Sequence, residues 1–164
     1  MAYDFFGIPV SELNVWLIWI LPFAAAMIIP AVGKFSKLTT GRVAVAFAAM
    51  SAISAATLFP MALGAHEIHH QIMWIDAIGL KAGVLADPLS VIMSNVVGWI
   101  SFLIMCYSTG YMKGDKDITR FWFWMMFFIG SMQLIILSDN LLQVFFGWEG
   151  VGLASYALIS FWYR

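Results

Sequence analysis

The sequence contains few charged residues. Only 10% of its 164 residues are Asp, Glu, Lys or Arg, whereas soluble proteins contain about 25%. Neither sign dominates, because eight basic residues stand against nine acidic ones and the net charge is −1. A nucleic-acid-binding protein presents a strongly basic face, and this balance provides none. The scarcity of charge therefore argues against both a soluble domain and a nucleic-acid-binding protein.

Cysteine and the common cofactor motifs are scarce or missing as well. Cys106 is the only cysteine, so no intrachain disulfide can form, and its place in an apolar run is typical of a core or lipid-facing residue. No CxxC pair, glycine-rich phosphate loop or haem-ligand pattern is present, so we expect no cofactor and no metal in this chain. The first twelve residues contain Asp4 and Glu12 but no Lys or Arg, so a cleavable signal peptide is not predicted.

Long hydrophobic runs make up most of the sequence, which is 63% hydrophobic. A transmembrane helix needs about 20 apolar residues. Five stretches meet this requirement: 15–32, 43–63, 89–111, 121–137 and 141–163. The prediction is an all-α, polytopic membrane protein with about five transmembrane helices, forming a single membrane domain over residues 1–164 with an external loop at 64–86.

The loops contain ordinary helix-capping and turn residues. Asp87 and Pro88 supply an N-cap and a first-turn proline for the third span. Only three residues, Ser138 to Asn140, separate the fourth and fifth spans, so these two should form an antiparallel pair in which Asp139 caps the fifth. Partial alternation around glycines between residues 72 and 84 suggests a short surface hairpin.

The basic residues predict the orientation of the chain. In a five-span arrangement all but one of them lie on the same side: Lys34, Lys37, Arg42, Lys113, Lys116, Arg120 and Arg164. Lys81 alone lies on the other side, together with most of the acidic residues. The positive-inside rule therefore places the N-terminus outside and the C-terminus in the cytoplasm of a cell carrying this chain in its cytoplasmic membrane.

Glu149 is the most unusual residue in the sequence. It is the only formal charge in the fifth span and lies roughly 13 Å beyond Asn140 along a helix, near the middle of the hydrocarbon core. An ionisable residue there costs about 2.5–3.5 kcal/mol on insertion scales. A membrane-embedded carboxyl group that gains and loses a proton is what a proton relay requires. We therefore predict Glu149 as a proton-carrying residue; the alternative is a neutral acid that only hydrogen-bonds a neighbouring helix.

Other residues of the fifth span and its entry are candidates for supporting roles. Gly147 and Gly150 form, with Ala154, a stripe of small residues on which a second helix can pack closely. Ser155 and Tyr156, about two turns beyond the glutamate, suit either a hydrogen-bonded proton path or simple interhelical bonds. Asp139 suits proton collection at the external mouth, although its role as a helix cap is favoured.

The segment 66-HEIHH-70 matches the zinc-protease pattern H-E-x-x-H, in which two histidines one helical turn apart bind the metal. An intramembrane metalloprotease is therefore an alternative of a different class. Against it, the motif follows the end of the second span, little chain surrounds it, and a third ligand would have to be Asp76 or Asp87. A polar external loop is the favoured interpretation.

Polar residues near and within the spans have simpler explanations. Arg120, beside Asp115 and Asp117 at the start of the fourth span, is predicted to form an interfacial ion pair or to bind a lipid headgroup. Ser94 and Gln133 lie inside spans and are predicted to hydrogen-bond neighbouring helices.

From about residue 74 to residue 163 the chain resembles the antiporter-like subunit of respiratory complex I known as subunit L or chain 5. Three segments carry the resemblance: ADPLSVIM at 86–93, YSTGYMKGD at 107–115, and RFWFWMMFFIGSMQLIILSDNLLQVFFGWEGVGLASYALISFWY at 120–163. The last segment, with its GWEGVG run, is highly specific. The first two spans match only in hydropathy and placement.

The resemblance implies a proton-translocating membrane subunit of a quinone oxidoreductase, in which Glu149 is the membrane-embedded acid and pairs with a lysine on a broken helix. It also implies that quinone and NADH, or another electron donor, bind to other subunits. The partners would be those other membrane subunits, the remainder of the antiporter-like subunit and the lipid membrane. Family members have well over a dozen spans and this chain has five, so we expect it to be a piece of a longer subunit that is inactive alone. A piece of a multisubunit cation/proton antiporter is the alternative.

Overall fold

The computed structural model describes residues 4–5, 8–64, 67–76 and 79–162. Its helices are α1 (Val10–Gly33), α2 (Lys37–Thr57), α3 (Phe59–Leu63), α4 (Pro88–Tyr111), α5 (Ile118–Leu137) and α6 (Leu141–Ile159). Its strands are β1 (Asp4–Phe5), β2 (Ile8–Pro9), β3 (Ile68–Ile75) and β4 (Leu80–Ala86).

Five helical segments of the described chain are long and apolar enough to cross a membrane: Glu12–Gly33, Lys37–Leu63, Pro88–Tyr111, Ile118–Leu137 and Leu141–Ile159. They confirm the prediction of a multi-pass, mostly helical membrane protein. The second segment combines α2 with the short α3, whose first turn contains Pro60. A proline lacks the backbone N–H that would continue the helix unbroken, which accounts for the change of helix at this point.

Helix α5 lies at the centre of the bundle and contacts α1, α2, α4 and α6. Small residues allow close packing there. Gly130 lies against the ring of Phe23 on α1, and a Cβ added at this glycine would stand 3.0 Å from the ring. Helix α6 packs mainly on α5, so it lies at the edge of the bundle with part of its surface uncovered.

Two buried polar side chains join α4 to α5, as predicted. Ser94 Oγ donates to Gln133 Oε1 at 2.7 Å, and Gln133 Nε2 donates to the carbonyl oxygen of Ser94 at 3.0 Å. A buried amide must find partners, because hydrocarbon offers none. The pair satisfies this need and fixes the register of the two helices.

Strands β3 and β4 form an antiparallel hairpin between α3 and α4. The predicted hairpin is therefore present, although it begins earlier than expected, at Ile68. Gly79 adopts a positive φ of 64° near the turn, a conformation that favours glycine. A mostly helical fold with one short hairpin in the loop before α4 agrees with the sequence prediction.

The hairpin defines one end of the bundle, which we call the hairpin end; it also contains the three-residue turn between α5 and α6. The opposite end, which we call the basic end, contains the loops at 34–36 and 112–117. There Lys37 Nζ donates to the carbonyl oxygen of Lys116 at 2.8 Å, so these two loops lie on the same side of the bundle, as the five-span arrangement requires.

Candidate functional site

Glu149 is the ninth of the 19 residues of α6, about 12 Å from the start of this helix. Its side chain is exposed on the face of α6 that points away from α5. No hydrogen bond or ion pair joins it to any other residue that the structure describes. The midpoint of the helix therefore presents a carboxyl group that nothing in the described chain covers.

The opposite face of α6 sets this orientation. Gly147, Gly150 and Ala154 are buried on it. A Cβ added at Gly147 would stand 2.7 Å from a side-chain atom of Ile135 and 3.0 Å from the carbonyl oxygen of Ser131. The predicted close approach of a second helix is thus present, with α5 as that helix, and Glu149 is turned outward because the glycines face inward.

Ser155 and Tyr156 differ in their relation to Glu149. Tyr156 is seven residues further along, which returns it to within roughly 20° of the same face, and it is 73% exposed. Ser155 is rotated by roughly 120° from Glu149 and is only partly exposed. Of the two predicted supporting residues, only Tyr156 shares the uncovered face with the glutamate.

Asp139 does not cap α6, contrary to the prediction. The cap is its neighbour Asn140, whose Oδ1 accepts from the backbone N–H of Gln143 at 3.0 Å. Asp139 Oδ2 instead accepts from Gln71 Nε2 at 2.6 Å and lies 3.1 Å from His69 Nε2. The aspartate therefore joins the turn before α6 to strand β3 of the hairpin.

The side chain of Asp139 is only 2% exposed. Burial alone raises the pKa of this carboxyl group, but hydrogen bonds from Gln71, His69 and Asn140 outweigh it and leave the pKa below its usual value of 3.8. Asp139 is therefore an ionised residue that fastens the hairpin at neutral pH. Gly83 permits this contact, because a Cβ there would overlap Asp139 Oδ2.

Asp87 caps α4 as predicted, since its Oδ1 accepts from the backbone N–H of Ser90 at 2.6 Å. That hydrogen bond lowers the pKa of Asp87 from the usual 3.8. The preceding strand β4 passes directly into α4 through this cap.

The H-E-x-x-H pattern does not form the helical turn that a zinc protease needs. His66 lies outside the described residues, Glu67 is in no regular element, and His70 is on strand β3. On a strand, side chains alternate between faces and do not repeat every turn as a helical pair does. No cluster of three or more metal-ligating side chains occurs within 4–5, 8–64, 67–76 and 79–162.

His70 has a role that the sequence did not suggest. Its Nδ1 accepts from Trp16 Nε1 at 3.0 Å, and its Nε2 lies 3.5 Å from Glu12 Oε2. Glu12 and Trp16 are four residues apart on α1, so they share one face of that helix. The four-residue spacing indicates that Glu12 and Trp16 share a face of α1. It does not predict that His70, 54 residues after Trp16, is their partner.

At the basic end, Arg120 contacts Phe161, which follows the end of α6. Its Nη2 donates to the carbonyl oxygen of Phe161 at 3.0 Å, and its guanidinium lies 4.9 Å from the centre of the Phe161 ring. Asp115 Oδ2 accepts from Trp162 Nε1 at 3.2 Å. The start of α5, through Arg120, and the loop before it, through Asp115, therefore hold the chain that follows α6.

Comparisons with known proteins agree with the resemblance. A family model described as NADH-Ubiquinone oxidoreductase (complex I), chain 5 N-terminus, matches residues 73–122. The chain is 40% identical over 152 residues to the NADH-quinone oxidoreductase subunit L of Rickettsia bellii, a match that covers 90% of this chain and 24% of that protein. The chain thus spans about a quarter of the length of this curated relative.

Two solved structures have a similar fold. One belongs to the membrane-bound sulfane sulfur reductase, an archaeal respiratory membrane complex, with a TM-score of 0.73, 16% identity, and coverage of 87% of this chain and 29% of that chain. The other belongs to the Mrp complex from Dietzia sp. DQ12-45-1b, with a TM-score of 0.73, 22% identity, and coverage of 89% and 16%. At these identities the likeness is one of fold.

Proposed function

We propose that this chain, which belongs to the family of NADH-quinone oxidoreductase subunit L and chain 5 proteins, forms part of a proton-translocating membrane subunit. The family name supports membership of an oxidoreductase complex. The chain spans only 24% of the Rickettsia bellii subunit, so proton translocation by this region is part of the proposal.

The position of Glu149 carries the proposal. An acid at the midpoint of a membrane-spanning helix, unpartnered within the described chain, is unfavourable unless another part of the assembly meets it. A carboxyl group held between two partners can take a proton from one side and release it to the other. The uncovered face of α6 is where such a partner would pack, and the resemblance implies that it carries a lysine.

The surrounding residues receive different roles in this account. Tyr156 shares the face of Glu149 and extends a polar path toward the basic end. Gly147 and Gly150 hold α6 against α5 and thereby keep the glutamate turned outward. Asp139 holds the hairpin closed over the start of α6, and any proton collection by it would proceed from this ionised, hydrogen-bonded state. Ser155 lies off this path.

The remaining features of the proposal concern the whole assembly. Electron transfer takes place on other subunits, which bind the quinone and NADH or another donor, and this chain contributes no cofactor. The other membrane subunits and the remainder of the antiporter-like subunit are its partners, and the isolated chain is inactive. The basic end faces the cytoplasm and the hairpin end faces outward, in the cytoplasmic membrane.

A Glu149→Gln variant in the assembled complex tests the proposal. Glutamine keeps the size and hydrogen-bonding capacity of the side chain but cannot carry a proton. We expect quinone-coupled proton pumping in membrane vesicles to fall at least tenfold, while the amount of assembled complex stays within a factor of two. Glu67→Gln, an exposed acid outside the spans, is the matched control and should pump normally.

Unchanged pumping by Glu149→Gln would refute the relay role. The same vesicles test the alternative of a cation/proton antiporter. Sodium-dependent proton flux without quinone reduction would favour that alternative, whereas pumping that requires quinone reduction supports the proposal.

A further inference from the structure

A groove at the basic end combines positive charge with an apolar floor. It lies between the first turns of α2, the end of α4 and the loop that leads to α5, and its volume is about 750 Å³. Four cationic side chains line it: Lys37, Arg42, Lys113 and Lys116. Asp115 is the acidic residue in the lining. The groove therefore has an excess of positive charge and suits an anion.

Trp122 is part of the groove lining, and its indole N–H is a buried polar group without a partner among the described residues. Trp122 is 1% exposed, and its indole Nε1–H has no hydrogen-bond acceptor among the described residues. The indole lies against Gly41, where an added Cβ would stand 3.3 Å from Nε1. A buried donor without an acceptor is unfavourable, and both Trp122 and Gly41 line the groove.

The beginning of α2 adds further donors. Its N-cap, Ser36, makes no capping hydrogen bond with its side chain, so the amide groups of the first turn lack a side-chain acceptor. Such amides attract anions, and phosphate above all. Leu38, also in the lining, is 69% exposed and provides an apolar surface where the helix enters the membrane.

We propose that this groove binds the phosphate headgroup of an anionic phospholipid. Arg42 and Lys113 contact the phosphate from opposite walls, the indole of Trp122 supports the floor, and the acyl chains lie along Leu38 and the adjoining spans. The apolar floor favours a lipid over free phosphate, because a soluble anion gains nothing from it. The site depends on the membrane-spanning architecture and is independent of proton translocation by Glu149.

Photo-crosslinking tests the site. The detergent-solubilised membrane assembly that contains the chain is reconstituted into phosphatidylcholine vesicles with increasing fractions of a photoactivatable phosphatidylglycerol, and adducts are mapped by mass spectrometry. We expect adducts in the peptides around Arg42 and Lys113. Each of Arg42→Gln and Lys113→Gln should weaken apparent binding about fivefold, since one basic residue near an anionic surface contributes about 1 kcal/mol. Trp122→Phe should also weaken apparent binding relative to the wild type, and the adducts should stay in the same peptides.

Lys34→Gln is the matched control, since Lys34 lies at the same end but does not line this groove. Binding by this variant should stay within twofold of the wild type. An equal loss for Lys34→Gln and Lys113→Gln would overturn the proposal in favour of a diffuse basic surface. Full competition by inorganic phosphate would overturn it in favour of a soluble anion, and equal labelling by a photoactivatable phosphatidylcholine would refute recognition of charge.

Discussion

At the scale of single residues, the two acids of the candidate site lie in opposite environments. Glu149 lies in the middle of α6 with no partner in the described chain. Asp139 lies at the end of the bundle, buried and surrounded by donors. Several hydrogen-bond donors keep Asp139 in its ionised form, whereas Glu149 has no such donor in the described chain. Structural fastening therefore belongs to Asp139, and proton transfer is the role that we propose for Glu149.

The fastening by Asp139 should depend on pH only in the acidic range. Its pKa is below 3.8 in the folded chain, so its contribution to stability is complete above the unfolded value and is lost as the pH falls through the folded value. We expect protection of the Gly83 amide, which donates to Gln143 Oε1 at 2.8 Å, to stay constant from about pH 7 to pH 5 and to decline below about pH 4.

Hydrogen exchange corrected for intrinsic rates measures this protection. Asp139→Asn should lower it at neutral pH and abolish the decline in acid. Asp76→Asn, at an exposed acid near the turn of the hairpin, serves as the control and should leave both unchanged. A decline that persists in Asp139→Asn would assign the titration to another group.

At the scale of elements, the orientation of α6 depends on its glycine face. Gly147 and Gly150 lie against α5, whereas a Cβ added at Gly152 would meet no atom of the described residues within 4 Å. The two kinds of glycine therefore provide an internal comparison on the same helix. A methyl group is too large at Gly147 and Gly150 and meets no described atom at Gly152.

Gly147→Ala should destabilise the packing of α6 on α5 by about 1–3 kcal/mol, as overpacking typically does. Its Cβ would meet backbone atoms of Ser131 and Ile135, which cannot move aside as a flexible side chain can. Gly152→Ala should be neutral or slightly stabilising, because alanine is the better helix former. Thermal unfolding in detergent measures both, and equal effects would contradict the assigned packing face.

Features with a local signal could be predicted from the sequence, whereas contacts between distant residues could not. Run lengths predicted the spans, and Asp87 was identified correctly as a cap because its signal is local. Asp139 was misassigned because Asn140 beside it is an equally good cap, and because its partner His69 is 70 residues away. Ser155 could have been separated from Tyr156 by helical periodicity alone. Long-range partners such as Trp16 and His70 required the fold.

At the scale of the whole molecule, charge is distributed unevenly between the two ends. The loops at 34–36 and 112–117 lie together at the basic end, and the hairpin contributes Lys81 to the other end. This asymmetry underlies both the proposed orientation and the proposed lipid site. The bundle is also asymmetric in the plane of the membrane, because the uncovered face of α6 points toward the proposed partner of Glu149.

Cysteine labelling tests the orientation. In a Cys106→Ser background, a cysteine replacing Ile72 on the hairpin should react with a membrane-impermeant maleimide in intact cells. A cysteine replacing Phe35, which is 92% exposed in the loop between α1 and α2, should react only after permeabilisation. The reverse pattern would place the basic end outside and contradict the positive-inside assignment.

The central claim is that Glu149 changes its protonation state during turnover. Infrared difference spectroscopy of the assembled complex measures this directly, because a protonated carboxyl group has a C=O stretching band that a carboxylate lacks. The account predicts a band that appears and disappears with quinone reduction, shifts in Glu149→Asp and is missing in Glu149→Gln, while Glu67→Gln retains it. A turnover-dependent carboxyl spectrum that is identical in the wild type and Glu149→Gln would contradict the account.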